Sequence, residues 1–152
     1  MKKFELTSEF ITNISGTKLF RIKALVEFGN IKAGDLGGYI EKEENLDQDG
    51  DAWVYGNAEV WGNAKVYGNA WVYGDAEVCG NADYAYAHGF GSEYRTTTFF
   101  RLKNGDVGVR CGCFYGTIQE FRDKVRATHK ETKKAKEYLM LADLMELRFA
   151  KE

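Results

Sequence analysis

The sequence predicts a mainly β fold with α structure at its end, in which a short parallel β-helix is followed by a β-hairpin and a C-terminal helical pair. Three observations carry this prediction: a six-residue repeat through residues 52–84, an Asn-Gly pair at 104–105 between two β-prone runs, and helical spacing of apolar residues after Thr117. The 152 residues are enough for one domain with a sizeable core.

The N-terminal part, residues 1–30, is expected to contain one strand. Residues 1–16 are polar and show no regular pattern, whereas residues 18–28 are apolar and β-prone. An irregular first turn of the coil should follow, and the apolar residues expected to point inward there are Ile31, Leu36, Ile40 and Leu46.

The repeat itself reads AWVYGN-AEVWGN-AKVYGN-AWVYGD-AEVCGN. Valine recurs at every sixth position from Val54 to Val78, with alanine two residues before it and glycine two residues after it. In an extended segment the alanine and the valine point to one side and the residue between them to the other. Glycine followed by Asn or Asp tolerates left-handed backbone angles and can turn a corner. Three units therefore make one turn of a triangular coil with stacked valines inside.

This pattern resembles the hexapeptide-repeat left-handed β-helix family, with five consecutive matching units. The resemblance implies a left-handed coil over residues 31–92 and a homo-oligomer, either a dimer or a trimer. The combination of GDLGGYIEKEENL, the WVYGNA repeats and the tail GCFYGTIQEF is also similar to small hexapeptide-repeat proteins of phages and gut bacteria. That likeness implies a mobile-element origin and brings no catalytic residues.

Residues 93–152 are expected to form the hairpin and two helices that pack on the β-helix. Residues 87–94 are interpreted as a cap or an exit loop, after which TTTFFRLK and DVGVRCGCF flank Asn104-Gly105. Thr117 and Glu120 form a capping-box pattern at the start of the first helix, and the second helix should span 134–149 after a break at 130–133.

Composition limits the classes of function. The net charge of −2 indicates no general attraction to DNA or to a membrane surface. Three cysteines are an odd number without a disulfide framework, which favours a reducing compartment. No signal peptide or membrane span is visible, so we expect the cytoplasm, here that of a bacterial host.

The outward positions of the coil predict an aromatic wall. With eighteen residues per turn, Trp53 and Tyr55 should stack with Trp71 and Tyr73 on one face. Such a patch is too large to leave in water, so something must cover it. Three covers remain open: the chain's own C-terminal helices, another subunit, or a stacked base or sugar.

Charge near the helices suggests a second candidate region, because basic residues outnumber acidic ones there. It is a solvated surface, a surface that attracts the acidic stretch at 35–51 of another subunit head to tail, or a site for an anionic ligand. Together with the outward aromatic residues, the predicted binding or interface residues are Trp53, Tyr55, Trp61, Tyr67, Trp71, Tyr73, Arg122, Lys124 and Arg126.

Catalytic and metal-binding patterns are weak. Acyltransferases of the β-helix family use a histidine as general base, and His88 could have that role here. However, it is a single histidine in the expected exit loop. Two histidines are too few for a three-histidine metal site, and Cys111-Gly-Cys113 has no second ligand pair. No cofactor or metal is therefore expected.

These observations predict a non-enzymatic, self-associating binding protein. A phage-derived version would act against host defence by sequestering a nucleotide signal or by blocking a defence protein. The alternatives are an acyltransferase-like enzyme that uses His88, or a purely structural assembly module.

Overall fold

The computed structural model describes residues 2–150 and shows a mixed α/β fold that is mostly sheet, with two helices at the C-terminal end. Within these residues the elements are β1 (Phe4–Thr12), β2 (Lys18–Ala24), β3 (Leu36–Ile40), β4 (Trp53–Val54), β5 (Glu59–Val60), β6 (Trp71–Val72), β7 (Glu77–Val78), β8 (Tyr84–Phe90), β9 (Arg95–Arg101), β10 (Val107–Cys111), β11 (Phe114–Thr117), α1 (Ile118–His129) and α2 (Lys133–Phe149).

The repeat forms very short parallel strands whose partners are eighteen residues apart. Trp53 pairs with Trp71 and Val54 with Val72, while Glu59 pairs with Glu77 one unit later. All five valines of the repeat are fully buried, and four of its glycines have positive φ angles between 59° and 67°. The buried valines and the positive-φ glycines thus place equivalent residues, eighteen positions apart, side by side in parallel strands.

The N-terminal strands extend the parallel ladder into a five-stranded sheet with the order β1-β2-β3-β5-β7. The sequence predicted one strand within residues 1–30, but this part contains two, because β1 pairs antiparallel with β2. Leu36 was also expected to point inward and is instead 57% exposed, whereas Ile31, Ile40 and Leu46 are buried. The strand partner of β1 is its neighbour β2, and Phe4 at the start of β1 also packs against Trp53 of the repeat.

A four-stranded antiparallel sheet, with the order β11-β10-β9-β8, follows the repeat. The predicted hairpin is confirmed, since β9 and β10 pair across Asn104-Gly105. The cap or exit loop expected at 87–94 was wrong in its first half, because residues 87–90 belong to β8, which pairs with β9; residues 91–94 form a turn. Cys111 and Cys113 do not share a strand: Cys111 ends β10, and a turn at Gly112, with φ of 59°, leads into β11.

The helices begin as the sequence predicts. The Thr117 hydroxyl accepts a hydrogen bond from the Glu120 amide at 3.1 Å, and the Glu120 carboxylate accepts one from the Thr117 amide at 2.9 Å. The buried faces of α1 and α2 share a hydrophobic cluster with Phe99 and Val109 of the four-stranded sheet, while the valines of the repeat belong to another cluster. Across residues 2–150, neither helix has the length and apolar character needed to cross a membrane.

Candidate functional site

The first half of the predicted aromatic wall is covered by the N-terminal part of the chain. Trp53 lies beside Trp71 in the parallel ladder, yet it is only 1% exposed. The rings of Phe4 and Phe28 approach its indole edge-on, with centroids 6.4 Å and 5.3 Å away. Trp53 is therefore a core residue that anchors the N-terminal segment to the repeat.

The second half of the wall is covered by β10 and β11. The guanidinium of Arg110 lies 4.6 Å from the ring centroid of Tyr73 and 5.5 Å from that of Trp71, and the Tyr115 ring is 5.1 Å from Tyr73. Tyr55 packs against the same rings, and burial raises its pKa to about 12. The chain thus covers its own wall, but with strands instead of the helices that the sequence suggested.

The remaining two aromatic candidates lie apart from this wall. Trp61 is half-buried, and no hydrogen-bond partner for its indole nitrogen is found among residues 2–150. Tyr67 is 50% exposed and lies edge-on to Tyr84 and Tyr86, beside a cavity of about 370 Å³ that Arg148 also lines. The structure therefore does not bring the six aromatic candidates together into one site.

The three basic candidates on α1 also have different roles. Arg122 forms ion pairs at 2.8 Å with both Asp143 and Glu146 of α2, and the hydrogen bonds to these carboxylates raise its pKa. Arg126 lies 3.8 Å from Asp123 on its own helix. Arg122 therefore ties the two helices together. Arg126 lines a cavity of about 510 Å³ with Lys130 and Lys136, whereas Lys124 lines a different cavity.

That cavity, which we call the α1 cavity, lies between α1, α2 and the ends of β9, β10 and β11 and has a volume of about 330 Å³. Phe114, Phe121 and Tyr138 supply aromatic walls, while Arg95 and Lys124 supply positive charge. Glu93 also lines it, but among residues 2–150 no carboxylate oxygen lies within 4.0 Å of the Arg95 or Lys124 nitrogens. The cavity therefore combines apolar surface with two cations that have no ion-pair partner in the described chain.

Two neutral hydroxyl groups next to the α1 cavity are hydrogen-bonded within the chain. The Tyr138 hydroxyl donates to the Phe90 carbonyl at 3.0 Å, and the Thr97 hydroxyl donates to the Cys111 sulfur at 3.2 Å. Burial raises the pKa of Tyr138, so its phenol keeps its proton at neutral pH. The arrangement is suited to holding an anion by Arg95 and Lys124.

The catalytic candidate of the sequence lies elsewhere. His88 is exposed on β8, where its Nδ1 is 2.7 Å from the Thr96 hydroxyl, and it does not line the α1 cavity. Within residues 2–150, no group of three or more His, Cys, Asp or Glu side chains is placed to hold a metal ion.

Sequence reasoning selected Lys124 but missed Arg95 and the aromatic lining. Arg95 begins β9 just after the turn at residues 91–94, and nothing in its local pattern marks it as functional. Phe121 and Tyr138 have the helical spacing typical of core residues, and both are indeed buried. Only the packing of both helices on the sheet brings these side chains to Arg95.

The chain matches no known family model, and no curated protein is significantly similar to it in sequence.

Proposed function

We propose that this protein is a non-enzymatic binding protein that sequesters a small anionic ligand with an aromatic ring, of the nucleotide class, in the α1 cavity. The observation that carries the proposal is the placement of Arg95 and Lys124, without carboxylate partners, beside the aromatic walls of that cavity. A phosphate bridging the two cations would gain charge-assisted hydrogen bonds of about 1.5–3 kcal/mol each.

The size and lining of the cavity indicate the kind of ligand. Ligand pockets typically span about 300–1,000 Å³, so 330 Å³ suits a ligand near the size of a single nucleotide. Phe114 is only partly buried, which leaves its ring available for stacking against a base. Arg95 also lines a smaller cavity of about 210 Å³ with Trp71, which would accommodate a second group of a longer ligand.

The biological version of the proposal rests on the family resemblance. We propose that the repeats wind as a left-handed β-helix and that the protein comes from a phage-related element. It would then act in the cytoplasm of the bacterial host by removing a nucleotide signal of host defence. The parallel pairing of strands eighteen residues apart supports such a coil.

Isothermal titration calorimetry with a nucleotide panel tests the binding proposal. The panel holds nucleoside 5′-monophosphates, cyclic di- and trinucleotides, NAD-derived nucleotides and inorganic phosphate alone. We expect heat from at least one nucleotide, weaker binding of phosphate, and an affinity that falls as salt is added.

Variants locate the binding to the α1 cavity. Arg95→Ala and Lys124→Ala should each weaken binding about tenfold, which corresponds to about 1.4 kcal/mol. Lys65→Ala is the matched control, because Lys65 is an exposed lysine of the repeat that does not line this cavity. No heat and no shift in unfolding temperature with any member of the panel would refute the function. Equal effects of Lys65→Ala and Lys124→Ala would refute the site.

A further inference from the structure

The outer face of α2 carries an uncovered apolar stripe. Met140, Leu144 and Leu147 are 71%, 56% and 75% exposed, while the opposite face of the helix is buried in the hydrophobic cluster with the sheet. Their spacing of four and three residues places all three on one side of the helix. Single exposed apolar residues are ordinary, but a helically spaced set on an otherwise packed helix is typical of a helix–helix contact.

Charged residues border this stripe in a self-complementary pattern. At 3.6 residues per turn, Lys136 and Asp143 lie along one edge, and Glu137 and Arg148 lie along the other. When two copies of a helix pack antiparallel, each edge meets the same edge of its partner. Lys136 then faces Asp143 of the partner subunit and shares that carboxylate with Arg122, which lies 2.8 Å from it in the same chain. Glu137 faces the partner's Arg148, whose guanidinium also donates to the Asn81 carbonyl of its own chain at 3.0 Å. Along the helix, the midpoint of the Lys136–Asp143 pair and that of the Glu137–Arg148 pair lie within about one helical turn of each other. A single alignment of the two helices therefore brings both pairs together.

The charge at the start of the helix distinguishes the two possible directions. Lys133 lies in line with the apolar stripe at the first turn of α2. In a parallel pair it would lie against the partner's Lys133. In an antiparallel pair it lies near the C-terminal end of the partner's helix, where unpaired carbonyl groups carry partial negative charge. The antiparallel arrangement is therefore the favoured one.

We propose that the stripe Met140–Leu144–Leu147 binds a second copy of this chain, with the two α2 helices antiparallel across a two-fold axis. None of the three residues lines the α1 cavity, so this inference is independent of the proposed ligand. One helix pair covers less than the roughly 1,600 Å² of a standard interface, which predicts a dimer that dissociates on dilution.

Sedimentation velocity from about 1 to 500 µM protein tests the association. Wild-type protein should shift from monomer to dimer with concentration, and Leu144→Glu should weaken the dimer at least 100-fold. Ile14→Glu is the matched control, because Ile14 is an equally apolar and fully exposed residue in the turn between β1 and β2. Circular dichroism and the unfolding midpoint confirm that both variants remain folded. A wild-type monomer throughout, or a Leu144→Glu dimer as strong as the wild type, would overturn the proposal.

Oxidative cross-linking tests the direction of the helices, in a background where Cys79 and Cys113 are replaced by serine. Met140 lies near the centre of the antiparallel contact, so Met140→Cys should form a disulfide dimer readily. Leu147 lies about 18 Å from the partner's Leu147 in that arrangement, so Leu147→Cys should not. Efficient cross-linking of Leu147→Cys would overturn the antiparallel arrangement.

Discussion

Replacing each of the two tryptophans that share the AWVYG context should give very different losses of stability. Trp53 and Trp71 occupy the same position of the repeat and pair with each other. Trp53 is 1% exposed beneath Phe4 and Phe28, whereas Trp71 is only partly buried. The same substitution therefore compares a core site with a partly buried site in one protein.

Truncation of a buried aromatic side chain to alanine costs about 3–5 kcal/mol. We expect this full cost for Trp53→Ala, because it removes the indole against which the N-terminal segment packs. For Trp71→Ala we expect about 1–2 kcal/mol, since that side chain is only partly buried. In a chain of 152 residues each kcal/mol lowers Tm by roughly 2–4 °C, so Trp53→Ala should lower Tm by roughly 6–20 °C.

Urea unfolding followed by circular dichroism measures both losses, and calorimetry gives the two Tm values. Phe4→Ala removes the other ring of the Phe4–Trp53 contact, and it should also destabilise the protein strongly because Phe4 is fully buried. Equal losses for Trp53→Ala and Trp71→Ala would refute the reasoning, since they would mean that the N-terminal strands do not cover the first tryptophan.

Three further substitutions test other parts of the fold. Gly62→Ala should lower the unfolding free energy more than Gly56→Ala in urea titrations: both glycines have positive φ, but only at Gly62 would a Cβ meet a backbone oxygen, at 2.6 Å. Lys103→Met should lower the unfolding free energy by about 1–3 kcal/mol, because it leaves the buried Glu59 carboxylate, 2.6 Å from the lysine, without its ion-pair partner. Adding Glu59→Gln to this variant should recover part of the lost stability. The hydrogen bond to Glu59 raises the pKa of Lys103, so this stabilisation should persist below the lysine's unfolded pKa of about 10.4 and fall as pH rises above it, as unfolding at several pH values would show. Thr117→Ala should cost about 1 kcal/mol through loss of the helix cap, and an unchanged midpoint would contradict that role.

The site shows where sequence reasoning stops. Lys124 was selected from a cluster of basic residues, but only the structure separates it from Arg122, which is engaged with Asp143 and Glu146. Arg95 is far from Lys124 in sequence and reaches the same cavity through the packing of α1 on the sheet. No spacing rule connects a residue before one strand to a residue in a later helix.

The sequence by itself determined the features that depend on neighbours a few residues away: the six-residue period that stacks Val54 on Val72, the hairpin at Asn104-Gly105 and the cap at Thr117. Only the tertiary structure decided which of the side chains that point away from the valine core of the repeat remain exposed to solvent. Trp53 is buried because a strand some fifty residues earlier in the chain packs over it, and its repeat partner is partly exposed because other strands reach it less completely. Burial of an outward-facing residue depends on contacts between distant segments, and a local pattern cannot encode which segment arrives.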